Sequence, residues 1–365
     1  MVTVSPVEAA WLALEYEARM WDWAEHGSRP SRRVDRQFRQ YLAAIPPSIA
    51  SARAFLTPET TNLVAEAERR CAWLDRQSGG ELTELAGFLL RSESVASSKI
   101  ERVGAPAQAV FEVMAGVGRA RGMAGQVAAN IRAMQYAIEA AAPEMPLGTP
   151  QLLAIHRALL GDDTAERTWA GRLRAQQNWI GASDDCPRDA LFVPPRPERV
   201  GPLLDDLFAF AKRADIAPVV QAAIVHAQFE TIHPFTDGNG RVGRALIHIV
   251  LRRRAVVTRT LVPISTVLLS EPENYFEGLG RYREGALDGW VSDFARATVL
   301  AAQEGEILAA RLADVRAGWL EAARPRKNSA GMALLAGLIQ QPVITIDVAT
   351  KTASTVRCFR SSRFT

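Results

Sequence analysis

Two apolar, helix-forming stretches meet at a turn built around two glycines, and this junction constrains the chain more than any other feature. Residues 217–230 carry a strong helical pattern, and Asp237-Gly-Asn-Gly240 then makes a tight turn. From Arg241 onward, Val242, Ala245, Leu246, Ile249 and Val250 recur at the spacing of a buried helix face. Arg241, Arg244 and His248 fall on a different stripe at i, i+3 and i+7. That stripe points the two arginines together, away from the apolar face, near the start of the second helix.

The rest of the chain reads as mostly helical. Residues 6–25 form an amphipathic segment with Trp11, Leu12, Leu14, Met20, Trp21 and Trp23 among charges, and residues 32–43 form a second, short helical segment before the breaker Pro46-Pro47. Long helices are expected over 57–76 and 81–100, separated by Ser78-Gly79-Gly80, and over 124–141, ended by Pro143 and Pro146. Thr149-Pro150 gives the next helix an N-cap and a first-turn proline. Residues 171–195 change character. They are rich in Asn, Gly, Asp and Pro, with β-prone pieces at Trp179-Ile180 and Leu191-Phe192-Val193, which suits a hairpin or irregular loop packed on helices. Helices follow at 198–213, 272–285 and 287–314, flanking the central pair. Arg324-Pro-Arg-Lys327 marks 315–328 as a linker. The expected division is an N-terminal helical region (1–125), a core (126–314), the linker and a tail (329–365). In that tail Ser329–Ile339, Thr345–Thr350 and Ser354–Arg360 read as short helices.

Composition sets outer limits. At 365 residues with 48% hydrophobic and 23% charged residues, the chain can bury a sizeable core, and a net charge of +3 does not call for nucleic acid. Cys71, Cys186 and Cys358 are odd in number and far apart, which implies a reducing compartment and no disulfide framework. Neither a basic leader followed by an apolar run nor a long unbroken apolar stretch occurs, so the expectation is a cytoplasmic protein with no membrane span.

The central turn has the makings of a site for polyphosphate. Gly238 and Gly240 permit unusual backbone angles and close ligand approach. The N–H groups at a helix start, with the dipole behind them, bind anions. Two nearby arginines grip phosphate oxygens, and Asp237 offers a hard oxygen suited to Mg²⁺ shared with phosphates. His233, a few residues earlier, is of a type suited to taking a proton from a hydroxyl. A base, a metal ligand, an anion nest and two cationic clamps together describe a phosphoryl- or nucleotidyl-transfer site.

His233-Pro-Phe-Thr-Asp-Gly-Asn-Gly-Arg-Val-Gly-Arg244 resembles the motif of the Fic family at every specified position. Gly171-Arg-Leu-Arg174 with Gln177-Asn-Trp-Ile-Gly181 is similar to the family's segment before its flap, and Phe192-Val-Pro-Pro195 to the flap itself. Ser97-Ser-Lys-Ile-Glu101 resembles the family's inhibitory motif, and its position marks the subclass with an N-terminal inhibitory helix. The resemblance covers roughly residues 40–310. It implies an all-α fold: a Fic-type helical bundle with a β-hairpin flap, preceded by the N-terminal helical region and followed by a partial winged helix or helix-turn-helix. It implies AMP transfer from ATP with Mg²⁺ to a hydroxyl of a protein substrate or of the chain itself. By resemblance, His233 is the general base and Asp237 holds Mg²⁺. Gly238, Asn239, Gly240 and Arg241 hold the α- and β-phosphates, and Arg244 binds the γ-phosphate or, in the inhibited state, Glu101. Phe192, Val193 and Pro194 would dock the target. Arg102 departs from the family, which has Gly or Asn there, and this bears on how the inhibitory helix ends.

Other readings stay open at this stage. Glu101 could instead position a water that removes AMP, the donor could be another nucleotide or a phosphocholine carrier, and members of this subclass often form homodimers. The basic residues Lys351, Arg357, Arg360 and Arg363 suggest a DNA-binding regulator whose core senses nucleotide, but the tail stops short of a full recognition helix. His226 has no Cys or carboxylate pattern around it for zinc and reads as a polar helix position near the site. His156 reads as a satisfied core histidine, and His248 as a helix-surface residue facing neighbouring helices. The Trp11, Trp21, Trp23 cluster and Cys71 read as packing.

Overall fold

The computed structural model describes residues 11–23, 32–77, 83–118, 121–142, 145–161, 166–181, 183, 185–326, 329–340, 342–347 and 349–350. His26, Cys358, the Ser78-Gly79-Gly80 break and the basic residues of the tail lie outside them. The elements run β1 (Glu15–Met20), α1 (Arg33–Arg36), β2 (Gln40–Ile45), α2 (Pro58–Gln77), α3 (Thr83–Ile100), α4 (Ala107–Met114), α5 (Gly122–Glu139) and α6 (Thr149–Leu160). They continue with α7 (Pro197–Ala211), α8 (Pro218–Ile232), α9 (Asn239–Arg253), α10 (Ile264–Ser270), α11 (Pro272–Arg283), α12 (Leu287–Ala323) and α13 (Ala330–Gln340).

Helices α8 and α9 are the axis of the bundle. Every residue of α8 from Val219 to Ile232 and of α9 from Asn239 to Leu251 is buried. A helix that is buried on all sides must satisfy its polar stripe against protein instead of water. Arg244 and His248, set apart from the apolar face in the sequence, are buried with the rest, and His248 faces a neighbouring helix as expected. They face α3, where His248 Nε2 meets the buried Glu93 carboxylate at 2.9 Å. Glu93 also accepts Ser265 N–H at 2.8 Å, so one carboxylate joins α3, α9 and α10. Asn130 of α5 donates to Ser94 O and Ser98 Oγ from the other side of α3. The helix bearing Glu101 is therefore clamped along its length.

Prolines in the first turns of α6, α7, α8 and α11 start these helices, since their missing N–H groups would be unpaired there in any case. Thr149 lies one residue inside α6, whose cap is Gly148. The N-terminal segments depart from expectation. Residues 15–20 and 40–45 are antiparallel strands, with Glu15 opposite Ile45 and Met20 opposite Gln40. An amphipathic helix over 6–25 would have buried Leu12 and Met20, yet both are strongly exposed. What is buried is Trp21, which meets Trp23, Phe38, Tyr41 and Trp179 edge-on and so fastens the hairpin to the 171–195 segment.

Between Ile180 and Phe192 that segment has an isolated bridge, as its β-prone pieces suggested. Helix α12 runs through Ala323, so the stretch read as linker is helical for most of its length. It ends where Arg324 turns into the left-handed region ahead of Pro325. Helix α13 packs on α3, and Arg91 of α3 donates to Ile339 O at 2.6 Å, so the tail's first helix is docked on the body. Cys71 and Cys186 are both free and buried. Among the described residues, no helix is long and apolar enough to cross a membrane.

Candidate functional site

The loop between α8 and α9 is shaped by its own side chains. His233 ends α8 in the left-handed region (φ 49°), and its N–H closes on Phe229 O. Asn239 then ties the loop shut: its Oδ1 accepts Phe235 N–H and its Nδ2 donates to Phe235 O, both at 2.8 Å. Its amide is thus committed to loop closure. Gly238 caps α9 at φ 77°, and a Cβ there would lie 3.0 Å from Leu159.

Beneath the loop, His156 accepts Gly171 N–H on Nδ1 at 2.9 Å, so Nε2 carries the proton and donates to Asp237 O at 3.0 Å. The ring stacks on Phe235 with centroids 3.7 Å apart, and burial holds its pKa down to about 4. It is the satisfied core histidine that the sequence suggested, and it braces the turn.

His233 is partly buried, and its imidazole is held down to about 3, first by burial and then by the Arg174 and Arg283 guanidiniums. It is neutral near pH 7. Its Nδ1 is buried against the protein, so Nε2 is the nitrogen open to an incoming hydroxyl. Arg174 is 5% exposed and faces carbonyl groups: Nε donates to His233 O at 2.9 Å, and Nη2 reaches Pro195 O. Gln177 donates to Pro194 O and Asn178 to Phe235 O, each at 2.9 Å. The segment 174–178 therefore fixes the histidine loop and the flap to one another. Arg283 adds a second tie, stacking 3.7 Å over the Phe192 ring and donating to Glu230 O.

The other end of the site lies at the α9 N-terminus. Asp237 is half exposed and pairs with Arg241 at 3.0 Å. Arg241 is otherwise buried, and its Nε has no acceptor among the described residues. Arg244 is 1% exposed and donates to Ser97 Oγ, Ser97 O and Glu101 Oε1 at 2.9, 2.8 and 2.9 Å. Burial works against its charge, but Glu101, Tyr275 and Glu230 together outweigh this and hold its pKa above the ordinary value. A Cβ on Gly240 would come within 1.9 Å of Glu101 Oε1, so that carboxylate rests directly on the helix start.

Glu101 gets there through the end of α3. Arg102 adopts φ 59°, Arg102 N–H bonds to Lys99 O, and Val103 N–H bonds to Ser98 O. This is a Schellman ending, whose left-handed position is most often glycine. The structural reason for Gly or Asn at this place is thus visible, and Arg102 fills it under strain.

Of the residues read from the sequence, His233, Asp237, Gly238, Gly240, Arg241, Arg244, Ser97 and Glu101 are brought to one place. Phe192, Val193 and Pro194 sit beside it, but all three are buried, and Val193 O already accepts Ala44 N–H from β2. The residue that projects from this segment is Leu191, 85% exposed. Two participants were missed. Arg283 lies far along the chain, with no local signal. Glu230 sits three residues before His233, is 6% exposed, and is pushed up to about 7 by burial against the opposing pull of Arg244. A carboxylate embedded in an otherwise apolar helix pattern was the cue for it. His226 bonds to Tyr275 OH at 2.9 Å, and no metal-binding cluster exists among the described residues.

Comparison with known proteins agrees with this geometry. The profile of the Fic/DOC family matches residues 146–251, from the start of α6 to the end of α9. Curated relatives include Protein adenylyltransferase fic-1 of Caenorhabditis elegans, 33% identical over 118 residues (32% of this chain, 21% of that one). Protein adenylyltransferase Fic of Nematostella vectensis is 31% identical over 150 residues (40% and 31%). The alignments thus span about a fifth to a third of those relatives' length. Among solved structures, a Fic family protein from Desulfovibrio desulfuricans superposes with a TM-score of 0.56 at 25% identity, over 72% of this chain and 77% of the other. Fic-1 from C. elegans shares the fold, with a TM-score of 0.53 at 21% identity over 70% and 75%. The loop, the helices that carry it and these likenesses lead to one assignment: residues 146–251 form a Fic domain.

Proposed function

We propose that this chain transfers AMP from ATP to a hydroxyl side chain of a protein, itself included, and that Glu101 holds it in a restrained state. The observation that carries the reading is the placement of the Glu101 carboxylate on Gly240 and Arg244, the spot where a helix start and a buried guanidinium would hold a phosphate. A carboxylate stands there as an occupant for an anion site.

In the reaction, the target oxygen bonds to the α-phosphorus as the bond to the pyrophosphate oxygen breaks. His233 Nε2 takes the hydroxyl proton, and the neutral imidazole is in the right state to do so. Its basicity rises once a polyphosphate lies nearby, because an adjacent anion favours the imidazolium. Arg241, with an unpaired buried Nε, and Arg244 hold phosphate oxygens with the N–H groups at the start of α9. Asp237 is suited to Mg²⁺: it offers a single, half-exposed carboxylate, and Mg²⁺ is held through one or two carboxylates plus substrate phosphates. When bound, Mg²⁺ would supply charge neutralisation for the departing pyrophosphate. Target recognition falls to the flap region, with Leu191 as its projecting side chain.

The test is label transfer. Purified chain, as wild type and as Glu101→Gly, is incubated with Mg²⁺ and ATP labelled at either the α- or the γ-phosphate. Protein-bound label from the α-position alone is expected. Label from the γ-position, or none from either in both proteins, would overturn the assignment.

A further inference from the structure

Away from the histidine loop, α3, α5, the end of α9 and α13 line an open cleft of about 540 Å³. Volumes of about 300–1,000 Å³ are typical of small-molecule sites. Its lining is divided in character. Leu90, Ile131 and Leu334 contribute apolar surface, while Arg91, Arg252 and Arg259 contribute three positive charges. Glu139 is the one acidic residue in the lining among the described residues, and it already accepts Gln135 Nε2 at 3.1 Å.

Arg91 is the informative member. It is 8% exposed, yet no carboxylate pairs with it among the described residues. Its compensation is a single carbonyl, Ile339 O, and the ring faces of Phe88 and Phe111 at 6.0 and 5.8 Å. Burial lowers its pKa to about 10, which still leaves it charged near pH 7. A buried guanidinium without a counter-ion is costly, and an anion in the adjoining space would relieve that cost. Arg252 and Arg259 likewise have no carboxylate partner among the described residues.

We infer that this cleft is a binding site for a small amphipathic anion, its apolar body against Leu90, Ile131 and Leu334 and its carboxylate or phosphate head taken by the lining arginines. The site is separate from the proposed transfer chemistry, so its test needs no catalytic activity.

Gly337 provides a clean way to obstruct the cleft. It lines the space, and a Cβ there would meet nothing within 4 Å. Gly337→Leu therefore puts a side chain into this space from a position whose Cβ is unobstructed, and it also removes a helix-interior glycine. The full-length chain is titrated calorimetrically with decanoate, decyl phosphate and 1-decanol, each up to ~1 mM. Saturable one-to-one binding of at least one of the anions is expected, with 1-decanol weaker by at least about tenfold. The tighter of the two anions identifies the headgroup. Arg91→Gln, Arg252→Gln and Gly337→Leu should each weaken anion binding, Gly337→Leu while melting no lower than wild type. Arg252→Gln keeps the test valid if loss of the Arg91–Ile339 bond loosens α13. Failure of both anions to bind, equal binding of 1-decanol, or undiminished binding by Gly337→Leu would overturn the site.

Discussion

Replacing Glu101 by glycine removes the carboxylate that Arg244 holds at 2.9 Å and that rests 1.9 Å from the Cβ position of Gly240. Phosphate oxygens cannot share that space with it. A hydrogen bond to a charged group contributes about 1.5–3 kcal/mol, and the Glu101 side chain is one-third open to water, which favours the lower half of that range. About 1.5–2 kcal/mol corresponds to ~10–30-fold in the population open to ATP. Relief of a triphosphate held about 1 Å out of line adds up to ~10²-fold in rate. Self-labelling by Glu101→Gly should therefore exceed wild type by at least ~10-fold, read as intact mass against time at equal protein and Mg·ATP. Glu101→Asp, with a shorter arm and the same charge, should fall between. A second readout does not depend on turnover. Without Glu101, Arg244 keeps its two bonds to Ser97 but loses its ion-pair partner, so the free protein should melt lower, whereas added ATP should raise its melting temperature more than it does for wild type. Equal labelling rates and equal ATP-induced shifts would refute the reasoning and leave Glu101 as an ordinary helix end.

Other consequences can be checked with single substitutions. His233→Ala should lower transfer by ~10²–10⁴-fold while ATP still raises the melting temperature; normal labelling would remove His233 from the chemistry. Arg174→Gln should slow transfer while leaving ATP affinity unchanged, because Arg174 holds the His233 carbonyl and the flap and none of the phosphate-binding groups; a parallel loss of ATP binding would argue against that division. Glu230 is pushed up from 4.5 to about 7, so the folded chain keeps a proton that the unfolded chain releases, and the resulting stability is present below 4.5 and lost as pH rises through 7. Glu230→Gln should thus match wild type near about pH 5 and melt higher above about pH 8, and a constant offset at both would count against it. Arg102→Gly should stabilise the chain by about 1 kcal/mol by relieving the left-handed strain at φ 59°, with labelling no faster than wild type; a lower melting temperature would show that the arginine itself makes a needed contact.

What could be read from the sequence was what is local in it. The turn at 233–244, the prolines that begin α6, α7, α8 and α11 and the long apolar periods of α2, α3, α8 and α9 depend on neighbours within a few residues, and they gave the helical class and the histidine loop directly. The hairpin β1–β2 was not legible. Strands of six residues carry a weak pattern, and these two are defined by one another and by Trp21 docking near Trp179, more than 150 residues away. The same applies to the polar stripe of α9. Periodicity separated Arg244 and His248 from the apolar face, but only the position of α3 decided that the stripe meets Ser97, Glu93 and Glu101 instead of water. The flap residues matched in sequence yet are buried, because β2 and Arg283 cover them, and Leu191 projects in their stead. The sequence by itself determined the groups of the histidine loop, since a glycine turn at a helix start places backbone N–H groups together wherever it folds. Tertiary structure alone decided their states. Burial, together with arginines brought from distant segments, keeps His233 neutral, and a strained ending on α3 brings Glu101 onto Arg244. Charge and occupancy depend on what lies across the cleft, and chain order does not record that.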